Sequence, residues 1–557
     1  MQENKEFSLL IGGKAGDGID RAGLMLARIL NRLGYRIYIL RDYPSLIRGG
    51  HTFSLIRASK NIISAHCDKI DFLLALNQET VNLHKHRLKD KCFFIYDSSQ
   101  INLDISKECG IGIPLESILK QENLPSIMRN SILLGAFCKV VSLDFNILEE
   151  VLKKEIKYEL ELNLKAAKNG YELVKEVIKL EDLKQEPLPI LTGNEAIGLG
   201  LIKAGLKSYI AYPMTPSSGL LHFLAEVSGD FSIKVIHPEN EISVILLALG
   251  FSYTGERSAV GTSGGGFCLM TESLSLAGMA ELPVVIVLGQ RTGPSTGLPT
   301  YTAQADLLFA LNAGHGEFVR LIVAPGDIQE AYLWAGISLN LAWKYQIPAI
   351  ILSDKTLSEG VYSFDYRITD KIKEEKPLMW DKKTSYKRYL DTESGVSFLE
   401  FVPSKEAVIK VNSYEHDEFG ITTEDPEITT NMVNKRLRKG LYLLKDIESY
   451  NPINIFGDKK SPVALICWGS NKGVVSEVAS ELGLRAVQPV VLSPFPVDYF
   501  KAALEGVKKT IVIECNATSQ LSRLLNSYGF RIDQNILKYN GRPFSLEELK
   551  ELLKKVI

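Results

Sequence analysis

The chain has no Cys-x-x-C pair. Its seven cysteines, Cys67, Cys92, Cys109, Cys138, Cys268, Cys467 and Cys515, are scattered and odd in number. That spacing excludes a disulfide framework and a self-contained zinc or iron–sulfur site, and small apolar buried thiols are the expectation. Neither charge dominates, because 64 Lys and Arg face 66 Asp and Glu for a net charge of −2. Nothing electrostatic therefore draws the chain to nucleic acid or to an anionic membrane. No uninterrupted apolar stretch is long enough to span a bilayer. The opening MQENKEFSLLIGGKAG lacks the basic start and apolar run of a signal peptide. A soluble cytoplasmic protein is expected. A solenoid repeat and low-complexity sequence are also missing. The pair in His84-Lys85-His86 lies in a charged stretch and reads as a solvated face rather than as metal ligands.

What is present is ordinary globular composition, 45% hydrophobic and 23% charged over 557 residues. That length is too great for one core and suits about three domains at roughly 100–200 residues each. Residues 1–185 alternate strand-like runs (FSLLIGG, YRIYIL, FLLALN, CFFIYD) with helical ones. This predicts an α/β domain with a parallel sheet, closed by a long amphipathic helix at about 142–180. A charged, proline-bearing linker follows at 181–192. Residues 193–365 form a second α/β domain whose runs LPVVIVLGQ and IPAIILSD are apolar enough to be buried on both faces. Residues 366–454 connect. Residues 455–557 form a third α/β domain.

The chemistry-bearing residues gather in the second domain. Tyr212-Pro213-Met214-Thr215-Pro216-Ser217-Ser218-Gly219 follows the strand SYIA. Two prolines fix a turn that sets Thr215 at a strand's carboxyl end, where open α/β sheets bind ligands. A helix N-cap at Ser217 or Ser218 is the other reading of these residues. Glu239 and Glu241 open an apolar helix. Glu239 suits the positive helix end, whereas Glu241 is followed by almost wholly apolar sequence and is drawn inward, where a carboxylate needs a partner. Gly264-Gly265-Gly266 allows close approach of a ligand or of another backbone. Arg291, just past the strand VVIVL, suits a bidentate carboxylate site or a structural salt bridge.

With YPMTPSSG, ENEISVILLALGFSYTG, TSGGGFCLMTE, ELPVVIVLGQRTGPSTGLPT, QADLLFAL and EHDEFGITTED, the chain resembles the α subunit of 2-oxoacid:ferredoxin oxidoreductases, in the form with a γ-like domain fused ahead. The resemblance covers nearly the whole chain. It implies a γ-like domain at 1–185, a pyrimidine-type thiamine diphosphate domain at 193–365 and a transketolase C-terminal-like domain at 455–557. It implies conversion of a 2-oxoacid and CoA to acyl-CoA and CO2, with electrons passed to ferredoxin. 2-Oxoglutarate is the expected acid, with pyruvate or branched 2-oxoacids as alternatives. A non-catalytic α/β paralogue is the competing class, although such a chain would be expected to have lost Thr215, Glu241 or Arg291.

By the same resemblance Glu241 is the catalytic residue and hydrogen-bonds N1′ of the cofactor's aminopyrimidine. Arg291 and Thr215 hold the substrate carboxylate. Tyr212, Pro213, Gly264 and Gly265 line the cofactor, and Cys268 packs. Glu415–Gly420 is a family loop. No metal ligand is expected on this chain. A β subunit would carry the diphosphate with Mg2+ and a [4Fe-4S] cluster, in an (αβ)2 heterotetramer that reduces ferredoxin. His237-Pro238 ahead of Glu241 departs from the expected pattern and bears only on local loop geometry. The triplet Gly16-Asp17-Gly18 looks like the start of a metal–diphosphate site. No asparagine follows in the window Arg41–Ile47 to complete the magnesium ligands, and Asn31 comes too early. Nor is there a G-x-G-x-x-G for a dinucleotide, since Arg21 follows Gly16 and Gly18. Such a glycine-rich turn is a feature of the family's γ-like domain: Gly16, Gly18 and Arg48 are by that resemblance the candidates for accepting CoA phosphates, and tight packing of strand against helix is the other reading of the glycines.

Overall fold

Glu6–Lys14, the apolar run that ends at the first glycines, lies inside an eight-stranded sheet. The computed structural model describes residues 6–45, 49–102 and 110–557. It has two units: Met1–Leu191 with Gly360–Tyr366 and Ser545–Glu551, and Thr192–Glu359 with Arg367–Phe544 and Leu552–Ile557.

In the first unit Glu6–Lys14, Ile70–Ala75, Leu88–Asp97 and Gly110–Ile113 pair in parallel, as the alternation predicts. The other half differs. His51–Ser59 runs antiparallel to Glu6–Lys14 and to Arg36–Asp42, and Val361–Ser363 adds a further antiparallel strand. The link at residues 43–50 is too short for the crossover of a dozen or so residues that a parallel neighbour needs.

The helix expected at about 142–180 is two helices, Phe145–Glu155 and Leu160–Leu173. The second crosses Arg129–Val140 so closely that a Cβ on Gly135 would collide with the Ala167 carbonyl, and one on Gly170 with the Ile132 carbonyl. Between the two helices Ile156 is extended and Glu159 is left-handed at φ 52°. The break lets the second helix take that crossing on its own axis.

His84 is not on a solvated face. It is 4% exposed, lies edge-on to Phe53, and pairs Nε2 to Nε2 with His51 at 2.8 Å. Burial, with Arg87, His51 and His86 nearby, pushes its imidazole down to about 3. The charged neighbours in the sequence hid an apolar environment supplied by a distant strand.

In the second unit Ser208–Ala211, Ser258–Ser263, Val284–Gln290 and Pro348–Asp354 form the parallel centre of a seven-stranded sheet. Val284–Gln290 and Pro348–Asp354 are buried throughout. Residues 453–537 form a five-stranded sheet, and Val491–Ser493 leaves that region to pair antiparallel on the edge of the seven-stranded one. Side chains from both sheets, Ile286 and Leu352 with Ile466 and Val512 among them, share one apolar core.

The connecting region carries the 22-residue helix Pro426–Ile447. Its Lys435 reaches buried Glu281 at 2.7 Å, and Lys439 pairs with the same carboxylate. Arg388 donates to the Glu281 carbonyl at 2.7 Å. The acidic run 415–420 is likewise tied down, with Glu415 on Arg436 and Glu418 on Lys387, both at 2.6 Å. Among the described residues no helix is long and apolar enough to cross a membrane.

Candidate active site

Ser208–Ala211, Ser258–Ser263 and Val284–Gln290 are neighbours, and their register pairs Ala211 with Gly261 and Ser263 with Gly289. The segments that follow therefore leave the sheet side by side at its carboxyl edge, the usual ligand position in open parallel sheets.

The first segment is the proline turn. Thr215–Pro216 is cis. Pro216 rests on Gly289, where a Cβ would come 3.0 Å from Pro216 Cγ. Asn194 Nδ2 donates to the Pro216 carbonyl at 2.9 Å. Ser217 precedes helix Ser218–Glu226 but makes no side-chain cap bond; its hydroxyl donates to the Met214 carbonyl at 2.8 Å. The turn is thus closed by its own serine. Tyr212 is 38% exposed and meets the His237 ring edge-on, with centroids 5.7 Å apart. Pro213 is exposed beside it.

Glu241 begins helix Glu241–Tyr253 and is 4% exposed. Asn240 caps this helix by accepting from Ser243 N–H at 3.0 Å. Glu239 accepts the Ser243 hydroxyl, which holds its carboxyl below the usual range. With the cap made by Asn240 and Ser243 held by Glu239, Glu241 is left free for another role. Its Oε1 is buried without a hydrogen-bond partner. A buried acceptor left this way is costly unless something binds it.

The second segment is the glycine turn that opens helix Gly264–Ala280. A Cβ on Gly266 would collide with Glu241 Oε1 and with Thr262 Oγ1. At Gly265 a Cβ would meet open space. The turn thus presses its backbone onto the acid at one glycine and opens at the next. Cys268 is exposed rather than packed, because the helix turns Phe267 and Met270 inward and leaves Cys268 and Leu269 outside.

The third segment carries Arg291, half-buried, whose Nη1 donates to the Thr215 carbonyl at 3.0 Å. Burial lowers its guanidinium from the ordinary value, and the charge of Asp306 opposes this. Thr215 and Arg291 are therefore together, and Glu241 is joined to the glycine turn. Asp306 is a residue that the sequence reading passed over, although it stands in the quoted run QADLLFAL. The segment leading to it is held from the five-stranded side. Gln304 donates to the Trp468 carbonyl at 2.7 Å and accepts from Cys515 N–H at 3.0 Å.

In the first unit Gly16 and Gly18 have φ of 98° and 76°, a region that favours glycine. Asp17 does not point outward as a ligand; its Oδ2 accepts Lys14 N–H at 3.1 Å, closing the turn. Gly16 and Asp17 border a cavity of about 110 Å³ with Arg129 and Asn130. Arg48 lies outside the described residues.

Residues 199–435 match the family model described as "Pyruvate flavodoxin/ferredoxin oxidoreductase, thiamine diP-bdg". Residues 8–173 match "Pyruvate ferredoxin/flavodoxin oxidoreductase". The 2-oxoacid:ferredoxin oxidoreductase subunit alpha of Sulfolobus sp is 33% identical over 99% of this chain and 97% of its own. The 2-oxoglutarate synthase subunit KorA of Methanocaldococcus jannaschii is 29% identical over 58% of this chain and 88% of its own. Among solved structures, the 2-oxoglutarate:ferredoxin oxidoreductase from Magnetococcus marinus, with 2-oxoglutarate, coenzyme A and succinyl-CoA bound, matches at TM-score 0.91 and 30% identity, covering 99% of each chain.

Proposed function

Because the chain belongs to the 2-oxoacid:ferredoxin oxidoreductases as an α subunit, we propose that its strand-end site serves the conversion of 2-oxoglutarate and CoA to succinyl-CoA and CO2, with two electrons passed to ferredoxin. Two relatives support the choice of acid: the Magnetococcus marinus enzyme holds 2-oxoglutarate and succinyl-CoA, and the Methanocaldococcus protein is named for 2-oxoglutarate. The observation that carries the reading is the Glu241 carboxyl, a buried acid with an unpartnered oxygen packed against the glycine turn, whose Gly265 borders open space.

Thiamine diphosphate, when bound, supplies the carbanion stabilisation that decarboxylation needs. Glu241 would hold N1′ of its aminopyrimidine and exchange a proton there. Tyr212, Pro213, Gly264 and Gly265 would border the ring. Arg291 would bind the substrate carboxylate through its planar donors, and Thr215 would add a hydroxyl bond. That grip has to be moderate, because the bound group loses its charge in the transition state.

In this reading a β subunit supplies the diphosphate and Mg2+ site and a [4Fe-4S] cluster, in an (αβ)2 assembly. Ile242, Leu246 and Leu247 on the Glu241 helix, and Leu269 on the glycine-turn helix, are each 40–50% exposed. Apolar exposure of this kind next to the site suits a subunit contact. The reading divides the chain into a γ-like domain at 1–185, a catalytic domain at 193–365, a connection at 366–454 and a transketolase-like domain at 455–557. Gly16, Gly18 and Arg48 are its candidates for CoA phosphates.

The test is anaerobic co-expression with a β subunit and a viologen-reduction assay on 2-oxoglutarate, pyruvate and 2-oxoisovalerate. CoA-dependent reduction fastest with 2-oxoglutarate is expected. Preference for another acid would overturn the substrate. No CoA-dependent reduction from a complex holding cofactor and cluster would overturn the activity.

A further inference from the structure

Asp306 plays no part in the reading above, yet it sits within the site. It occupies the N-cap position of Leu307–Asn312 without making a cap bond. Its backbone N–H donates to Gln290 Oε1 at 3.1 Å, tying it to the residue before Arg291. Its carbonyl accepts Ala310 N–H at 2.8 Å, so the main chain is fixed from both sides. The carboxyl faces the glycine turn. A Cβ on Gly264 would lie 3.0 Å from Oδ2 and 3.1 Å from Oδ1. The first glycine of the turn therefore keeps room for this acid, as the third does for Glu241. The helix that starts there opens with Gly-Gly-Gly-Phe and adds no charge. Arg291 is the charge that acts on Asp306, and Asp306 is the charge that acts on Arg291.

A substrate carboxylate placed on Arg291 would also feel the Asp306 charge, which acts on the same guanidinium through space. Decarboxylation breaks the bond between the carboxyl carbon and C2, leaves the electron pair with the C2 fragment, and releases neutral CO2. A fixed negative charge nearby raises the energy of the bound carboxylate more than that of the transition state. We propose that Asp306 is a positioning residue for this step: its carboxylate, held against Gly264 and tied through its own N–H to Gln290 next to Arg291, opposes the guanidinium's grip on the substrate carboxylate and favours its departure. The proposal rests on Arg291 as the carboxylate site. Burial also pushes the Asp306 acid up to about 6 against the pull of Arg291, so its charge changes near neutrality.

The experiment uses the α–β complex and Asp306→Asn, which keeps shape and removes charge. The probe is oxamate, which carries the carboxylate and adjoining carbonyl shared by 2-oxoacids but has an amide carbonyl that resists addition. The expected result is oxamate bound tighter by on the order of ten-fold. KM for the 2-oxoacid and kcat should both fall, the signature of relieved ground-state strain. Wild-type oxamate affinity should rise as pH falls through about 6, and the variant's should not. Unchanged or weaker oxamate binding in D306N, or a raised KM with kcat held, overturns the proposal. Should D306N not assemble, Asp306→Ser, which also removes the charge, takes its place, and unchanged or weaker oxamate binding in it overturns the proposal. Arg291→Gln separates the two readings. If it leaves oxamate affinity unchanged, the carboxylate site itself is wrong and this proposal goes with it. If it lowers affinity while D306N changes nothing, this proposal alone is overturned.

Discussion

Gly266 and Glu241 are in contact in a way that admits no side chain at position 266, since a Cβ there would strike Glu241 Oε1. Gly266→Ala should therefore displace the acid, together with the Thr262 hydroxyl at the end of the neighbouring strand. The expected outcome is a loss of roughly 10²-fold or more in kcat, consistent with a misplaced proton-handling group. Thermal midpoint should move by only a few degrees. Dye reduction and a melting curve on the same preparation check both parts. Wild-type turnover would show that the acid can shift without consequence.

Arg291 is expected to act mainly through substrate binding. Arg291→Lys keeps the charge but loses the planar pair of donors, and it also loses the bond to the Thr215 carbonyl. KM for the 2-oxoacid should rise by about ten-fold or more, because a charge-assisted bond contributes about 1.5–3 kcal/mol. The KM for CoA should stay put. Initial-rate kinetics with each substrate varied in turn would separate the two.

Much of this site was legible in the sequence. Glu241, Thr215 and Arg291 each follow or open an element whose apolar run is unmistakable, and strand ends are where a parallel sheet presents its ligand groups. What was not legible came from pairings distant in the chain. Asp306 carries no signal of its own in the sequence until Gly264 and Arg291 are brought to it. His84 reads as solvated until His51 and Phe53 cover it. Cys268 lies in an apolar helix, and only the direction of that helix decides that it faces out. The antiparallel half of the first sheet and the returning strand Val361–Ser363 are set by loop length and by a segment hundreds of residues away.

The Glu281 cluster makes a pH prediction. Lys439 is fully buried against Glu281, with Lys435 and Arg388 adjacent, and burial lowers its ammonium to about 7 from 10.5. The unfolded chain then binds more protons between these values, so stability contributed here rises with pH from about 7 and is at its lowest below that. Lys439→Met should flatten this rise in urea melts run across the range. Glu281→Gln leaves the cations uncompensated and should cost about 3–5 kcal/mol. A Glu281→Gln chain as stable as wild type would mean that the pairing is not structural.

Gly135 and Gly170 set the crossing of Arg129–Val140 with Leu160–Leu173. Gly135→Ala forces the two helices apart and should destabilise the first unit by about 1–3 kcal/mol. Protease protection of that unit should weaken, whereas oxamate affinity of the complex should hold.

The central claim is that Glu241 serves the cofactor. The direct test is Glu241→Gln in the α–β complex, with bound thiamine diphosphate and cluster iron quantified before assay. The account predicts that the complex still assembles with its cluster and that CoA-dependent turnover falls by about 10²–10⁴-fold, the usual weight of a positioned proton-transfer group. Turnover within about two-fold of wild type, with cofactor bound, would contradict it.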